Sequence, residues 1–475
     1  MQFFKTSEMI RGFSWNFISQ AYKVVFSSLV LIILARLISV EEFGIIGMSA
    51  VFVLFFNTLL NIGFDSSIVY SKTFKESDLF SLLIVNILLG FLIYGIGLLI
   101  APLLSGFYGN NEVQIIFRAL VLSVLFASIG VVSKGYLQKN LEFKKIAIID
   151  IFSITVSGII AVLMALKNYG YWALISQQLI IVGLTSGGYL IITSNKVFKD
   201  MTFSLKIIKE HLNFGYNIFI FSVINFFAQQ LDVLVIGKLL GESEVGIYVL
   251  AFNIIIKPIT IIVQAFNKTI YPVLTKLKKE LISDRYIDYT SAFFFFLSPL
   301  IIFFIALSQI IIPVVLTNEW SGIMFLIIVF GFQAIRTIIA SPSGLIFLVK
   351  GKPNIQWKYS MFISIPLRFL GIIIGYFISK SALGICLGIN IFATLEMMIG
   401  LAITFKLINI TIKQYFVVFK SYLIQLLVLS LLFLIINSFI NNILYQGLLE
   451  SLCFIIFIYL NFQVLKDKLK KITDI

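Results

Sequence analysis

Charge is scarce in this chain. Of 475 residues, 12% are Asp, Glu, Lys or Arg and 60% are hydrophobic, which excludes a soluble globular fold because too little polar surface is available to cover it. Histidine is scarcer still: His211 stands alone, in a polar segment where it reads as a solvated helix-end residue. The two cysteines, Cys386 and Cys453, lie in separate apolar runs and read as packing residues. A disulfide framework, a metal-ligand cluster and the buried histidine of intramembrane acyl transfer or metalloprotease chemistry are thereby excluded. No G-x4-G-K-[ST] occurs, so the chain has no P-loop for ATP. No polar stretch is long enough for a soluble domain or a large external catalytic loop. Met1 to Arg11 lacks the short apolar core and small-residue site of a cleaved leader.

What is present is a succession of apolar runs, each near the roughly 20 residues that cross about 30 Å of hydrocarbon. They are continuous, as in Phe293–Pro313, and do not alternate as membrane β-strands do. The runs predict about fourteen transmembrane helices, near 13–36, 43–67, 79–101, 114–134, 146–166, 171–193, 213–237, 245–266, 290–313, 321–347, 358–378, 383–405, 420–438 and 445–465. The fold class expected is an all-α polytopic membrane protein.

The net charge of +14 is distributed by loop. With an even helix count and both termini cytoplasmic, 27 of the 36 basic residues fall on the cytoplasmic side. Only Arg36, Arg118, Lys167, Lys238 and Lys380 fall on the other. That is the positive-inside pattern, so the basic excess is a topology signal and not a nucleic-acid footprint. An internal repeat divides the chain. "ARLISVEEFGII" at Ala35–Ile46 matches "GKLLGESEVGIY" at Gly237–Tyr248 with a constant shift of 202 residues, in parallel orientation. "NYGYWAL" at Asn168–Leu174 has a looser counterpart in "SALGICL" at Ser381–Leu387. The expected organisation is a six-helix lobe over 1–195, a cytoplasmic linker over 196–212, a second six-helix lobe over 213–410, and two additional helices with a basic tail over 411–475. The lobes are expected to face a central cavity.

Ionisable residues at membrane depth are costly and mark functional sites. Lys23, Lys257, Arg336, Arg368 and Glu396 each stand well inside an apolar run. Around them, helical spacing makes polar stripes: Asn16, Gln20, Lys23 and Ser27; Asn253, Lys257, Thr260 and Gln264; Asn225, Gln229 and Asp232; Ser360, Ser364, Arg368, Gly371 and Gly375. Such stripes cannot face lipid. Arg368 and Glu396 are a candidate ion pair; Lys23, Lys257 and Arg336 then remain uncompensated. A cavity with that surplus takes an anionic ligand, and the pyrophosphate of an isoprenoid-linked sugar fits, held by charge-assisted hydrogen bonds. Lys23, Lys257, Arg336 and Arg368 are thus the candidate substrate-binding residues, and the other stripe residues the cavity lining. Asp232 and Glu396 are the candidates for proton or sodium coupling; Asp65 and Asp150 read as structural or gating carboxylates near helix ends. No metal ligand or other cofactor is expected. Prolines interrupt three runs, at Lys257–Pro258, Ser341–Gly344 and Ile365–Pro366, and the second is the expected hinge.

Four segments carry a resemblance: "ARLISVEEFGIIGMSAVF" at Ala35–Phe52, "LQKNLEFKKIAIID" at Leu137–Asp150, "NYGYWALISQQ" at Asn168–Gln178 and "QQLDVLVIGKLLGESEVGIYVLAFNI" at Gln229–Ile254. In this order they resemble the polysaccharide flippases of the multidrug/oligosaccharidyl-lipid/polysaccharide exporter superfamily, most of all the group exporting colanic acid, teichuronic acid and similar repeat units. The resemblance implies two six-helix bundles, alternating access, and undecaprenyl-pyrophosphate-linked oligosaccharide as substrate in a bacterial cytoplasmic membrane. It also implies a polysaccharide polymerase or ligase as the recipient. The competing readings are a cation-coupled multidrug antiporter of the same superfamily, which would want intramembrane carboxylates, and a membrane-embedded glycosyltransferase or polymerase, which would need a carboxylate-rich site.

Overall fold

A computed structural model of the chain describes residues 6–61, 64–70, 74–277, 280–440 and 442–473. The side chains of Asn16, Asp65, Arg11, Lys268, Lys276 and the basic tail, with residues Lys5, Lys72, Lys278 and Lys279, lie outside the described residues. Among the described residues all regular structure is helical. Thirteen helices are long and apolar enough to cross a membrane, and a shorter apolar helix spans Tyr445–Asn461. The expected set of about fourteen helices is therefore observed.

The chain packs as two units, Met1–Val249 and Leu250–Ile475. The first contains α1 (Thr6–Leu37), α2 (Val40–Leu60), α3 (Phe64–Tyr70), α4 (Asp78–Tyr108), α5 (Asn111–Lys139), α6 (Phe143–Leu166), α7 (Trp172–Val197) and α8 (Leu205–Leu240), with the start of α9 (Glu242–Lys276). The division falls later than the linker read from composition. α7 runs to Val197 and α8 starts at Leu205, and α8 packs on α2, α3 and α4. The run expected over 43–67 is also two helices, since α2 ends at Leu60 and the short α3 follows.

Local chemistry explains the helix ends. Ser39 accepts from the Glu42 N–H while the Glu42 carboxylate returns to the Ser39 N–H, a capping box that starts α2. Gly109, at φ 74°, closes α4, and the Asn110 side chain caps α5. Inside the unit α5 packs on α2, α4 and α7, and α6 packs on α1 and α7.

The second unit continues with α10 (Ile282–Val315), α11 (Ile323–Val349), α12 (Pro353–Tyr359), α13 (Ile365–Ser379), α14 (Ala382–Ile408), α15 (Ile412–Phe439) and α16 (Ile443–Thr473). α10 is its axis and packs on α11, α15 and α16; α14 packs on α11 and α13. The expected hinge at Ser341–Gly344 is not a break. α11 runs through Pro342, and its neighbours are tied down: Asn267 donates to the Ser341 hydroxyl at 2.6 Å, and the hydroxyls of Tyr286 and Ser343 lie 3.2 Å apart. The irregularity falls instead at Ser360–Ser364, a π-helical turn just ahead of Pro366. Proline lacks an N–H and crowds the carbonyl of the preceding turn, and one wide turn accommodates both.

Candidate functional site

The repeated turns meet each other. A methyl group on Gly44 would stand 1.8 Å from the carbonyl oxygen of Glu242, and one on Gly246 would stand 2.2 Å from the carbonyl oxygen of Val40. The shift of 202 residues converts each contact into the other, so the two copies cross about a local two-fold axis at their glycines. Ser243 donates to Glu41 at 2.8 Å across the same crossing. Glu42 adds the GYWAL segment, accepting from the Tyr171 N–H at 3.1 Å beside Gly170, whose φ of +54° and lack of a side chain let the carboxylate approach. Two segments that stood apart in sequence are thus one junction.

Lys23 lies in a charged cluster of the first unit. It is partly buried within the electrostatic reach of Asp150 on α6 and Lys134 on α5. Tyr189 on α7 donates its hydroxyl to Asp150, and Lys134 stands 5.9 Å from the Tyr189 ring centroid. Two cations and one carboxylate leave a positive surplus. Lys134 lies about one and a half turns from the end of α5, whereas Lys23 stands mid-way along α1. Neither Lys134, at the end of the apolar run 114–134, nor Tyr189 is marked for this cluster by the sequence. Gln20 and Ser27 are partly buried on the same helix, and Tyr22 bonds Thr155 of α6 at 2.6 Å.

On α8, Asn225 is partly buried and Gln229 exposed. Asp232 is 1% exposed and accepts from the Tyr248 hydroxyl at 2.5 Å and from the Val233 N–H at 3.0 Å. Its carboxylate therefore ties α8 to α9.

The second unit assembles a larger cluster. Arg336 on α11 is partly buried in the field of Glu396 on α14, Arg368 on α13 and Tyr359 on α12. Ser364, on the π-helical turn, donates to the Glu396 carboxylate at 2.6 Å, and the Tyr359 hydroxyl donates to the Glu396 backbone carbonyl at 2.5 Å. The Arg336 Nε is buried with no hydrogen-bond partner. Glu396 thus stands among two guanidinium groups, and the Arg336 that sequence left alone belongs with them. Small residues bring these helices together. Gly371 and Gly375 of α13 lie against Gly388 and Gly384 of α14, where an added methyl group would come within 2.1–2.8 Å of a facing backbone oxygen. Arg368 stands one turn from this contact.

Lys257 and Gln264 are exposed on α9, with Asn253 and Thr260 partly buried, while Ile255, Ile256, Ile259 and Val263 of that helix are buried in the unit. Lys257 and Gln264 therefore lie on the open side of α9. Thr260 donates to the Ile256 carbonyl at 2.9 Å.

His211 departs from its sequence reading. It is 6% exposed, with Nδ1 2.9 Å from the Ser67 hydroxyl and Nε2 3.9 Å from Asp78. The packing of α8 against α3 and α4 buries it, which a polar flanking sequence does not reveal. Beside it, Glu76 accepts from the Tyr136 hydroxyl at 2.5 Å and pairs with Lys196 at 3.2 Å. The Tyr136 hydrogen bond, with the Lys196 charge, holds the Glu76 carboxyl below the usual carboxylate range.

Residues 33–324 match the profile of the family described as "Polysaccharide biosynthesis protein". The chain belongs to this family. Among its relatives, the teichuronic acid biosynthesis protein TuaB of Bacillus subtilis (strain 168) is 24% identical over 359 residues, 74% of each chain. The lipopolysaccharide biosynthesis protein WzxC of Escherichia coli (strain K12) is 23% identical over 427 residues, 87% of this chain and 81% of that one. The fold is shared with the lipid II flippase MurJ in an inward closed conformation, at a TM-score of 0.72 and 17% identity, covering 94% of this chain and 99% of MurJ. It is shared less closely with an inward-facing multidrug resistance MATE family transporter, at a TM-score of 0.65 and 14% identity, covering 82% and 94%. The polysaccharide biosynthesis family and the flippase-like fold agree with the resemblance drawn from the four sequence segments.

Proposed function

We propose that this family member is a flippase that moves undecaprenyl-pyrophosphate-linked oligosaccharide repeat units across a bacterial cytoplasmic membrane for surface polysaccharide biosynthesis. The observation that carries the reading is a positive surplus in each unit. Lys23 stands in the field of Asp150 and Lys134, and Arg336 in the field of Glu396 and Arg368. Ionisable groups held among membrane helices are costly and mark substrate or ion pathways, and a cationic surplus there suits an anionic substrate. A pyrophosphate supplies that charge and accepts from several donors at once. The stripe of Lys257 and Gln264, exposed, with Asn253 and Thr260, partly buried, cannot face hydrocarbon and solvates the sugar.

Transport proceeds by alternating access, with both termini cytoplasmic as the basic loops direct, and delivers the unit to a polymerase or ligase. Of the two carboxylates considered for proton or sodium coupling, Glu396 is the better placed, because Asp232 is closed by Tyr248 and its own helix. The chain is a translocator and not an enzyme. A multidrug antiporter shares the fold, but its cationic cargo would be repelled by these clusters.

The test is the amount and sidedness of the lipid-linked sugar pool in inverted vesicles after depletion of the protein. Complete repeat units should accumulate on the cytoplasmic leaflet. The intact protein should clear them, whereas Lys23→Ala and Arg336→Ala, present at normal levels in the membrane, should export at least about tenfold less, a loss of roughly 1.4 kcal/mol or more. An unchanged pool, with raised sensitivity to cationic drugs, would move the assignment to the antiporter.

A further inference from the structure

One buried ionisable group belongs to none of the clusters above. Glu450, on α16, is 0% exposed, and neither carboxyl oxygen has a hydrogen-bond partner. It lies within the apolar helix Tyr445–Asn461. The residues one and two turns on along the same face, Cys453, Phe454 and Phe457, pack with Ala306 of α10 and with Leu429 and Phe433 of α15. Phe303 and Phe454 stack at 4.3 Å. α10 and α15 therefore close over this face of α16.

The apolar stretches of these three helices carry no compensating charge. Residues 289–315 of α10, 421–439 of α15 and 443–465 of α16 contain no Lys, Arg, His or Asp, and Glu450 is the one Glu. The titratable groups on these stretches are Tyr289, Tyr422, Tyr445, Tyr459 and Cys453. The nearby amides are engaged with each other, Gln446 donating to Asn437. On α10 the Ser308 hydroxyl donates to its own helix at 2.7 Å. A carboxylate cannot stay ionised and unpaired in such a place, whereas the neutral acid can.

We infer that Glu450 is a proton-binding site of this protein, and that release of its proton is coupled to separation of α16 from α10 and α15. The packed helices accept only the neutral acid, so the proton leaves only when water reaches the group. By the same linkage, deprotonation favours the parted arrangement. Rising pH therefore opens the pair and falling pH closes it. The inference rests on the packing of these three helices and holds whatever cargo the flippase carries.

Two measurements on the purified full-length protein in proteoliposomes test it. Dicyclohexylcarbodiimide adds to protonated carboxyls in apolar surroundings. The acid proton passes to a nitrogen, the carboxyl oxygen joins the central carbon, and rearrangement leaves an acylurea with no leaving group. Peptide mapping should place the adduct on Glu450, with a rate that falls roughly tenfold per pH unit once the acid form is the minority. No adduct there, or a rate indifferent to pH, overturns the proposal. The second readout is the native Cys453, probed with a maleimide in the wild type and in Glu450→Gln, which keeps the size and stays neutral. The ratio of the two rates removes the pH dependence common to both proteins. It should be near one at low pH and rise about tenfold in favour of the wild type at high pH, the direction in which the ionised acid opens the pair. A ratio of one throughout overturns the coupling. If Glu450→Gln does not fold, the carbodiimide result on the wild type still decides the proton site.

Discussion

Gly44 and Gly246 each lie against a backbone carbonyl of the other repeat copy, so the cost of a side chain there cannot be relieved by a rotamer change. Gly44→Val and Gly246→Val should each destabilise the protein by about 1–3 kcal/mol, toward the upper end because the obstacle is main chain. Gly95→Val, where an added carbon meets nothing within 4 Å, should be near neutral. Thermal unfolding in detergent compares the three. Equal losses at all three sites would mean that the close crossing is not a determinant of stability. Glu76 makes a second prediction at this scale. Its folded-state titration lies below the ordinary 4.5, so its contribution is complete above that value and disappears as pH falls through the lower, folded one. The midpoint of thermal unfolding should therefore fall more steeply with acidification in the wild type than in Glu76→Gln, and the two curves should converge at low pH.

At the scale of elements, the contact between α13 and α14 decides the geometry of the second cluster. The glycines Gly371, Gly375, Gly384 and Gly388 set the approach of the two helices, and Ser364, Arg368 and Glu396 ride on them. Gly388→Leu must push the helices apart. It should reduce export as strongly as Arg336→Ala while the protein remains in the membrane, read by the lipid-linked sugar pool and by protein level. Full export by Gly388→Leu would separate the cluster from function. The π-helical turn at Ser360–Ser364 works in the same sense, presenting Ser364 to Glu396.

At the scale of the whole molecule, the proposed orientation follows from the basic loops. In a background lacking Cys386 and Cys453, Tyr169→Cys and Lys380→Cys should react with an impermeant maleimide in intact cells. Asn140→Cys and Lys352→Cys should react only after the membrane is opened. The reverse pattern would invert the topology, and with it the leaflet from which the substrate is drawn.

The helix inventory was legible because each membrane helix must satisfy its backbone internally and keep its surface apolar over a fixed thickness, constraints written residue by residue. The repeat at Ala35–Ile46 and Gly237–Tyr248 was legible too, as were the cations inside apolar runs, since their position in the chain needs no structure to be noticed. Their company was not. Asp150 and Tyr189 come to Lys23 from other helices, and Arg336 joins Arg368 and Glu396 across α11, α13 and α14. His211 read as solvated and is enclosed; Glu450 stands inside the run at 445–465, and only the packing of three helices around it leaves its carboxyl buried without a hydrogen-bond partner. Composition and periodicity thus determined the fold class and the number of helices, because those are local properties of the chain. Tertiary structure alone decided which charges are shared, which carboxylates are satisfied and which is left bare, because hydrogen bonds and burial are set by the neighbours that packing brings.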